Sequence, residues 1–177
     1  MASRLQPGTL AIGLALFAVA ALGTLAILNR RDQVAVLGEE IRYDDFAFAV
    51  LGSRQVELLG SGTSELRPRG IFSLVTLKVI NHAQRVDCRL SDFTPLLVDT
   101  AGQDYSVDRA AQELLAAQRG GPDPCAVAIP AGGSCTTELA FDVPADAREL
   151  LLHISSGMSF FDLVDVVFLG RKTLRLK

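Results

Sequence analysis

The chain reads as a mainly β protein: an antiparallel β-sandwich with one short helix, preceded by an amino-terminal apolar helix that is either a membrane anchor or a signal. Three observations predict it. Residues 9–28 are twenty consecutive positions without a charged side chain. Beyond residue 40, seven or eight short runs of alternating or β-branched apolar residues are separated by turn signals every ten or so residues, the pattern of a sandwich. One stretch alone, 108–118, has helical rather than strand periodicity.

The leader comes first. At 1.5 Å of rise per residue, twenty helical residues span roughly 30 Å, the thickness of a bilayer's hydrocarbon core. Arg4 precedes the span and Arg30 and Arg31 follow it. As a cleaved signal peptide it offers Ala18-Val19-Ala20 as a small-x-small site. As an anchor it exceeds the usual signal core and stops abruptly at 29–32. No cysteine lies in or just after the span, which excludes a lipoprotein attachment. The two arginines after it pull towards a cytoplasmic domain, whereas a short basic tail before an apolar segment is how exported domains are presented. The organisation read from this is a leader at 1–31, a spacer at 32–40 and one domain at 41–177. The domain is expected outside the cytoplasm, single-pass at the cell membrane or secreted after cleavage.

The strands follow in order. In 41–50, Phe46, Phe48 and Val50 alternate onto one face. Residues 54–59 are a weaker strand, and the Gly/Ser run 60–64 reads as a flexible loop closed by 67–70. The clearest strand is 71–81, where β-branched and leucine side chains fill both faces. Residues 93–98 form the next, with Pro95 expected at an edge or bulge. Asp99-Thr100-Ala101-Gly102 is a turn, and 103–107 return from it. Asp108 caps a helix with Ala110, Ala111, Leu114, Leu115 and Ala117 on one stripe, stopped by Gly120-Gly121-Pro122. Alternation resumes at 137–143 and 150–154, and 160–169 makes the last strand.

Cys88, Cys125 and Cys135 are the only cysteines. An exported domain is expected to hold one disulfide and one leftover thiol. Cys125 and Cys135 flank a short strand and a turn that could bring them within bridging distance, leaving Cys88 as the free thiol. Closing that eleven-residue loop is worth about 2.8 kcal/mol in the chain-entropy model. Pairing of Cys88 with either of the others, and three reduced thiols, stay open.

The sequence argues against several chemistries. The formal net charge of −3 offers no basic face for nucleic acid. His82 and His153 are the only imidazoles, and no Gly-x-Ser-x-Gly elbow accompanies them, so no catalytic residues are assigned. His82, Cys135, His153 and Met158 have the residue types of a copper site, yet seventeen residues separate Cys135 from His153 where such sites use one tight loop. Asp87, Asp92, Asp99, Asp104 and Asp108 crowd one stretch without the alternating oxygens of a calcium loop. No metal and no cofactor are therefore expected. Binding through surface remains, with loops 60–70 and 119–134 as candidates.

Residues 71–81, Asp92-Phe93, Leu97-Val98-Asp99, Gly102, Tyr105, Pro130-Ala131-Gly132-Gly133 and Phe141-Asp142-Val143-Pro144 leading to Leu150 and Leu152 resemble the bacterial telokin-like immunoglobulin domain. This is a family of unknown function carried by envelope lipoproteins and secreted antigens. The resemblance covers 41–169 and departs from the family at the inserted Ala131 and the missing lipidated cysteine. It implies an immunoglobulin-like sandwich outside a membrane and no catalytic residues. The function expected is non-enzymatic binding of a protein or cell-envelope ligand, with the membrane met through 9–28. The alternatives are a metal-binding or redox accessory protein, and a structural subunit assembling through its helix, where Gly13 and Gly23 permit close approach.

Overall fold

The structure, a computed structural model, describes residues 33–62, 64–156 and 172–176. The leader span 9–28, the strand expected at 160–169 and Met158 lie outside the described residues. Among the described residues, no helix is long and apolar enough to cross a membrane.

Two sheets form a β-sandwich. One has four antiparallel strands in the order β2 (Ile41–Tyr43), β3 (Phe46–Val56), β6 (Ile71–Asn81) and β9 (Ser134–Val143). The other has five, in the order β1 (Gln33–Ala35), β11 (Lys172–Arg175), β10 (Leu151–Ser156), β7 (Phe93–Val98) and β8 (Asp104–Ser106). A separate hairpin, β4 (Leu59–Ser61) with β5 (Ser64–Leu66), and the helix α1 (Arg109–Arg119) lie over the outer face of the four-stranded sheet.

β6 determines the layering. Its odd positions Val75, Leu77 and Val79 are fully buried and meet Phe48, Val50, Leu139, Phe141, Leu97, Leu152, Ile154 and Leu174 between the sheets. Its even positions Phe72 and Leu74 are equally buried, but against Leu59, Ala111, Leu115 and Ala140 beneath the helix and hairpin. Each such side chain contributes roughly 1.5–3 kcal/mol when withdrawn from water, so a strand apolar on both faces needs cover on both. The expectation that 71–81 is a single strand buried on one side and half covered on the other holds in extent, and the helix completes the second side.

The helix begins where Asp108 Oδ1 accepts from Ala111 N at 2.8 Å and ends at Gly120, whose φ of 75° suits glycine. Its eleven residues would be marginal alone. Contact with the sheet, through Ala111 and Leu115, holds it.

Several boundaries differ from the sequence expectation. The run 41–50 is split by a turn at Asp44, which sits at φ 54°, so Ile41 pairs back onto Phe48. The strand expected at 54–59 is the second half of β3, which pairs with β6 as far as Val56. The 60–64 loop is the tip of the β4–β5 hairpin. Gly60 there has φ 87°, and a Cβ would strike the Ser64 carbonyl. Gln33–Ala35, in the stretch read as spacer, forms β1 and lies parallel to β11, an exception to the antiparallel pattern. Pro95 lies on β7 beyond the last residue paired with β8, where one side of the strand has no paired strand among the described residues.

One end of the sandwich is sealed. Phe46 and Phe48 pack edge-to-face on Phe93, with ring centroids 5.6 and 4.9 Å apart. Asn81, fully buried at the end of β6, donates from Nδ2 to Val86 O (2.7 Å) and Ile129 O (3.0 Å) and accepts from Ala83 N (2.9 Å). Its main chain also binds the loop, with Asn81 N donating to Gly133 O and Gly132 N to Asn81 O. The 119–134 segment is therefore pinned, and Cys125 and Cys135 are bridged within it with Cα atoms 5.5 Å apart. The strand expected between them is instead irregular chain with one isolated bridge, Ile129 to Cys88. Asp123 organises the loop, accepting from Cys125 N, from the Thr137 hydroxyl and from Arg119.

Two outcomes are expected from denaturant unfolding. Asn81→Ala removes three hydrogen bonds, leaves the buried Ala83 N–H without its acceptor and costs about 2 kcal/mol; a loss under about 1 kcal/mol would show that the hub does not hold this end. Replacing Cys125 and Cys135 together by alanine costs about 2.8 kcal/mol, the entropy of the opened loop.

Candidate functional site

The opposite end of the sandwich is open. Leu51 is an extra residue in β3, where the register with β6 shifts between Val50 and Gly52. The bulge reverses the alternation: Val50 joins the inter-sheet core, whereas Val56 packs on the outer cluster. Ser53 and Gln55 therefore fall on the inner face, beside Ser73 of β6, which pairs with Gln55. A core that is mostly apolar elsewhere becomes polar here, and the sheets part around a cleft of about 880 Å³.

Ser53, Gln55 and Ser73 supply one wall of the cleft, and Leu150, Leu151 and Leu176 the apolar part of its lining. The rim is made by the 145–149 loop between β9 and β10, by Asp99 and Thr100 in the β7–β8 turn, and by Arg175. Ser53 Oγ donates to Leu176 O at 2.9 Å. Ser73 is only 2% exposed, and nothing among the described residues hydrogen-bonds its hydroxyl. Buried hydroxyls are ordinarily met, so this one marks a place where a polar atom is needed.

Charge at the rim is divided. Arg54 also lines the cleft, but its guanidinium is committed to Glu138 at 3.0 Å. Asp99 is committed as well. It accepts from Gln103 N and Ala101 N at 2.9 Å each and from the Tyr105 hydroxyl at 2.8 Å. The Gln103 amide, then the Tyr105 hydroxyl, hold its carboxyl below the usual range, and the same contact raises Tyr105. Arg148 and Arg175 find no carboxylate partner among the described residues. Asp146 and Glu149 stand on the same loop as Arg148, and Glu149 sits at φ 50°, a left-handed conformation uncommon for its type.

The residues singled out in the sequence lie elsewhere. Cys88 is the free thiol, buried in the core, its acidity weakened first by burial and then by Asp92 and Asp87. Cys135 is tied up in the bridge, while His82 approaches Glu40 at 3.7 Å and His153 lies on the other sheet, so these three residues do not form a common ligand set. Among the described residues, no three His, Cys, Asp or Glu side chains converge. Three of the clustered aspartates serve the backbone: Asp92 accepts from Arg89 N, Asp99 from its turn and Asp108 from the helix start. Hairpin and disulfide hold the two candidate loops, 60–70 and 119–134, against the body of the fold. The cleft was not anticipated. Its one signal in the sequence is Ser73, a hydroxyl on an inner face that is otherwise aliphatic from Ile71 to Val79.

The lowered pKa of Asp99 has a sign for stability. A carboxyl depressed in the folded state stabilises above its unfolded value, about 3.9, and that contribution is lost as pH falls through the folded value. An NMR titration of Asp99 is expected to give a midpoint below 3.9, moved upward in Tyr105→Phe; an unchanged midpoint would show that the hydroxyl does not contribute.

No family model and no curated protein matches this chain. Solved structures do. A conserved hypothetical protein from Bacillus anthracis is 12% identical, with 70% of this chain and 92% of that one covered at a TM-score of 0.57. An uncharacterized beta-sandwich protein from Clostridium difficile is 13% identical, with coverage of 84% and 97% and a TM-score of 0.53. A secreted protein from Mycobacterium tuberculosis is 20% identical, with coverage of 73% and 93% and a TM-score of 0.51. At these identities the likeness shows the fold: a β-sandwich shared with uncharacterized and secreted bacterial proteins.

Proposed function

We propose that this is a bacterial envelope protein whose immunoglobulin-like sandwich, of the telokin-like kind its motifs resemble, binds a protein or cell-envelope ligand on the outer side of the membrane without chemistry. Residues 9–28 anchor it there, or deliver it and are cleaved. The observation that carries the reading is the Cys125–Cys135 bridge inside a chain with such a leader. A disulfide within the fold suits an oxidising space and is rare in the cytoplasm. The likeness to a secreted β-sandwich supports the same placement.

The reading agrees with the route of the chain. β1 begins at Gln33, level with Lys172, and runs parallel to β11 towards Arg175, which lines the cleft. A domain tethered through its amino terminus thus turns its sealed end to the tether and its open end outward.

Expressed in a bacterium, the full chain is expected to leave the cytoplasm, and its domain to be cut by protease added outside intact spheroplasts. Denatured without reductant it exposes one thiol per chain, and three after reduction. Three free thiols in a protease-shielded domain would overturn the placement. Exchanging the leader for an unrelated anchor is expected to leave binding intact; loss of binding would transfer the role to the helix.

A further inference from the structure

We infer that the cleft takes an extended peptide bearing a single carboxylate, which adds as a strand to the open edge of β3. The inference rests on the proposal that the domain is a binding module, and it names the ligand class of that same site.

The edge comes first. β2 pairs only with residues 46–48 of β3, and the Gly38 amide takes Val50 O. From 52 to 56, β3 has β6 on one side and no strand on the other among the described residues. The other long edge of this sheet is treated differently. The Gln112 carboxamide donates to Glu138 O and accepts from Ala140 N of β9, both at 2.9 Å, and Asp108 N adds a bond to Ala140 O. A side-chain amide there stands in for a missing strand. Among the described residues one edge is closed and the one that borders the cleft is open, presenting main-chain groups that an extended chain can pair with.

The cleft supplies the rest. About 880 Å³ lies within the range of small-ligand and short-peptide sites. The buried Ser73 hydroxyl needs a polar partner, and a peptide group or side chain entering between the sheets provides one. Arg148 and Arg175 reach the rim from separate elements without carboxylate partners among the described residues, and guanidinium groups match a carboxylate's geometry. Arg54, Arg148 and Arg175 against Asp99, Asp146 and Glu149 leave the lining near neutrality, which disfavours a polyanion, while the two arginines without carboxylate partners among the described residues favour a lone carboxylate.

The test uses the full chain in detergent micelles against an array of end-blocked pentapeptides with glutamate fixed at the centre and the flanking residues varied. The tightest sequence is then measured by fluorescence anisotropy. Its glutamine analogue, and a version N-methylated at alternate amides, are each expected to bind at least tenfold more weakly. The double variant Arg148→Gln, Arg175→Gln is expected to lose tenfold or more while its circular dichroism is unchanged, and Arg109→Gln, an exposed arginine on the helix away from the cleft, to lose nothing. Equal binding of the N-methylated peptide would reduce the site to carboxylate capture and overturn strand addition. Equal binding of the glutamine analogue, no binder in the array, or an edge filled by a second copy in sedimentation would overturn the inference as well. Mislocalisation of the chain in cells would strike the proposed placement and leave this result standing.

Discussion

Keeping water from both faces of one strand is the constraint from which the other layers follow. β6 carries Val75, Leu77 and Val79 on one side and Phe72 and Leu74 on the other, all withdrawn from solvent. The first set demands a second sheet, and the second demands a lid of secondary structure. The lid is assembled from the material between strands: the β4–β5 hairpin before Ile71 and the helix before Ser134. Such a sheet, flanked by a sheet on one side and a helix on the other, is thicker than a plain two-layer sandwich.

Polar groups then decide what happens at the margins. Asn81 satisfies every group it brings into the sealed end, so its burial organises chain instead of destabilising it. Asp142 does related work at the mouth of β6. Burial pushes its carboxyl up, but the Arg69 and Gly70 amides and the Arg69 guanidinium outweigh this and hold it below its ordinary value. Gly70 must be glycine because a Cβ would run into the Val143 carbonyl. Ser73 is the counterexample, a buried hydroxyl without a partner among the described residues, at the end where the sheets part.

How much of this the sequence discloses depends on the range of the interaction. β6, the Asp99 turn and the helix with its Asp108 cap are legible because their signals are local: periodicity, a turn residue, a capping carboxylate. The split at Asp44 has only a faint local signal: Ile41 is out of phase with Phe46, Phe48 and Val50, and no glycine or proline marks the turn. The β4–β5 hairpin is hidden because glycine and serine carry no hydrophobic pattern. β1 is hidden for a stronger reason, since a three-residue parallel pairing with a strand 139 positions later leaves no local trace. The cleft depends on a bulge at Leu51 reversing the facing of Ser53 and Gln55, and no side-chain property announces a register change.

The parallel contact between the first and last described strands also has a mechanical consequence. On the proposed reading, a pull between an amino-terminal tether before Gln33 and a ligand held near Arg175 acts along the strand axis. The evenly spaced bonds of a parallel ladder then share that force in shear, whereas a hairpin opened from its end would surrender them one at a time. Short as it is, β1 is placed to resist traction.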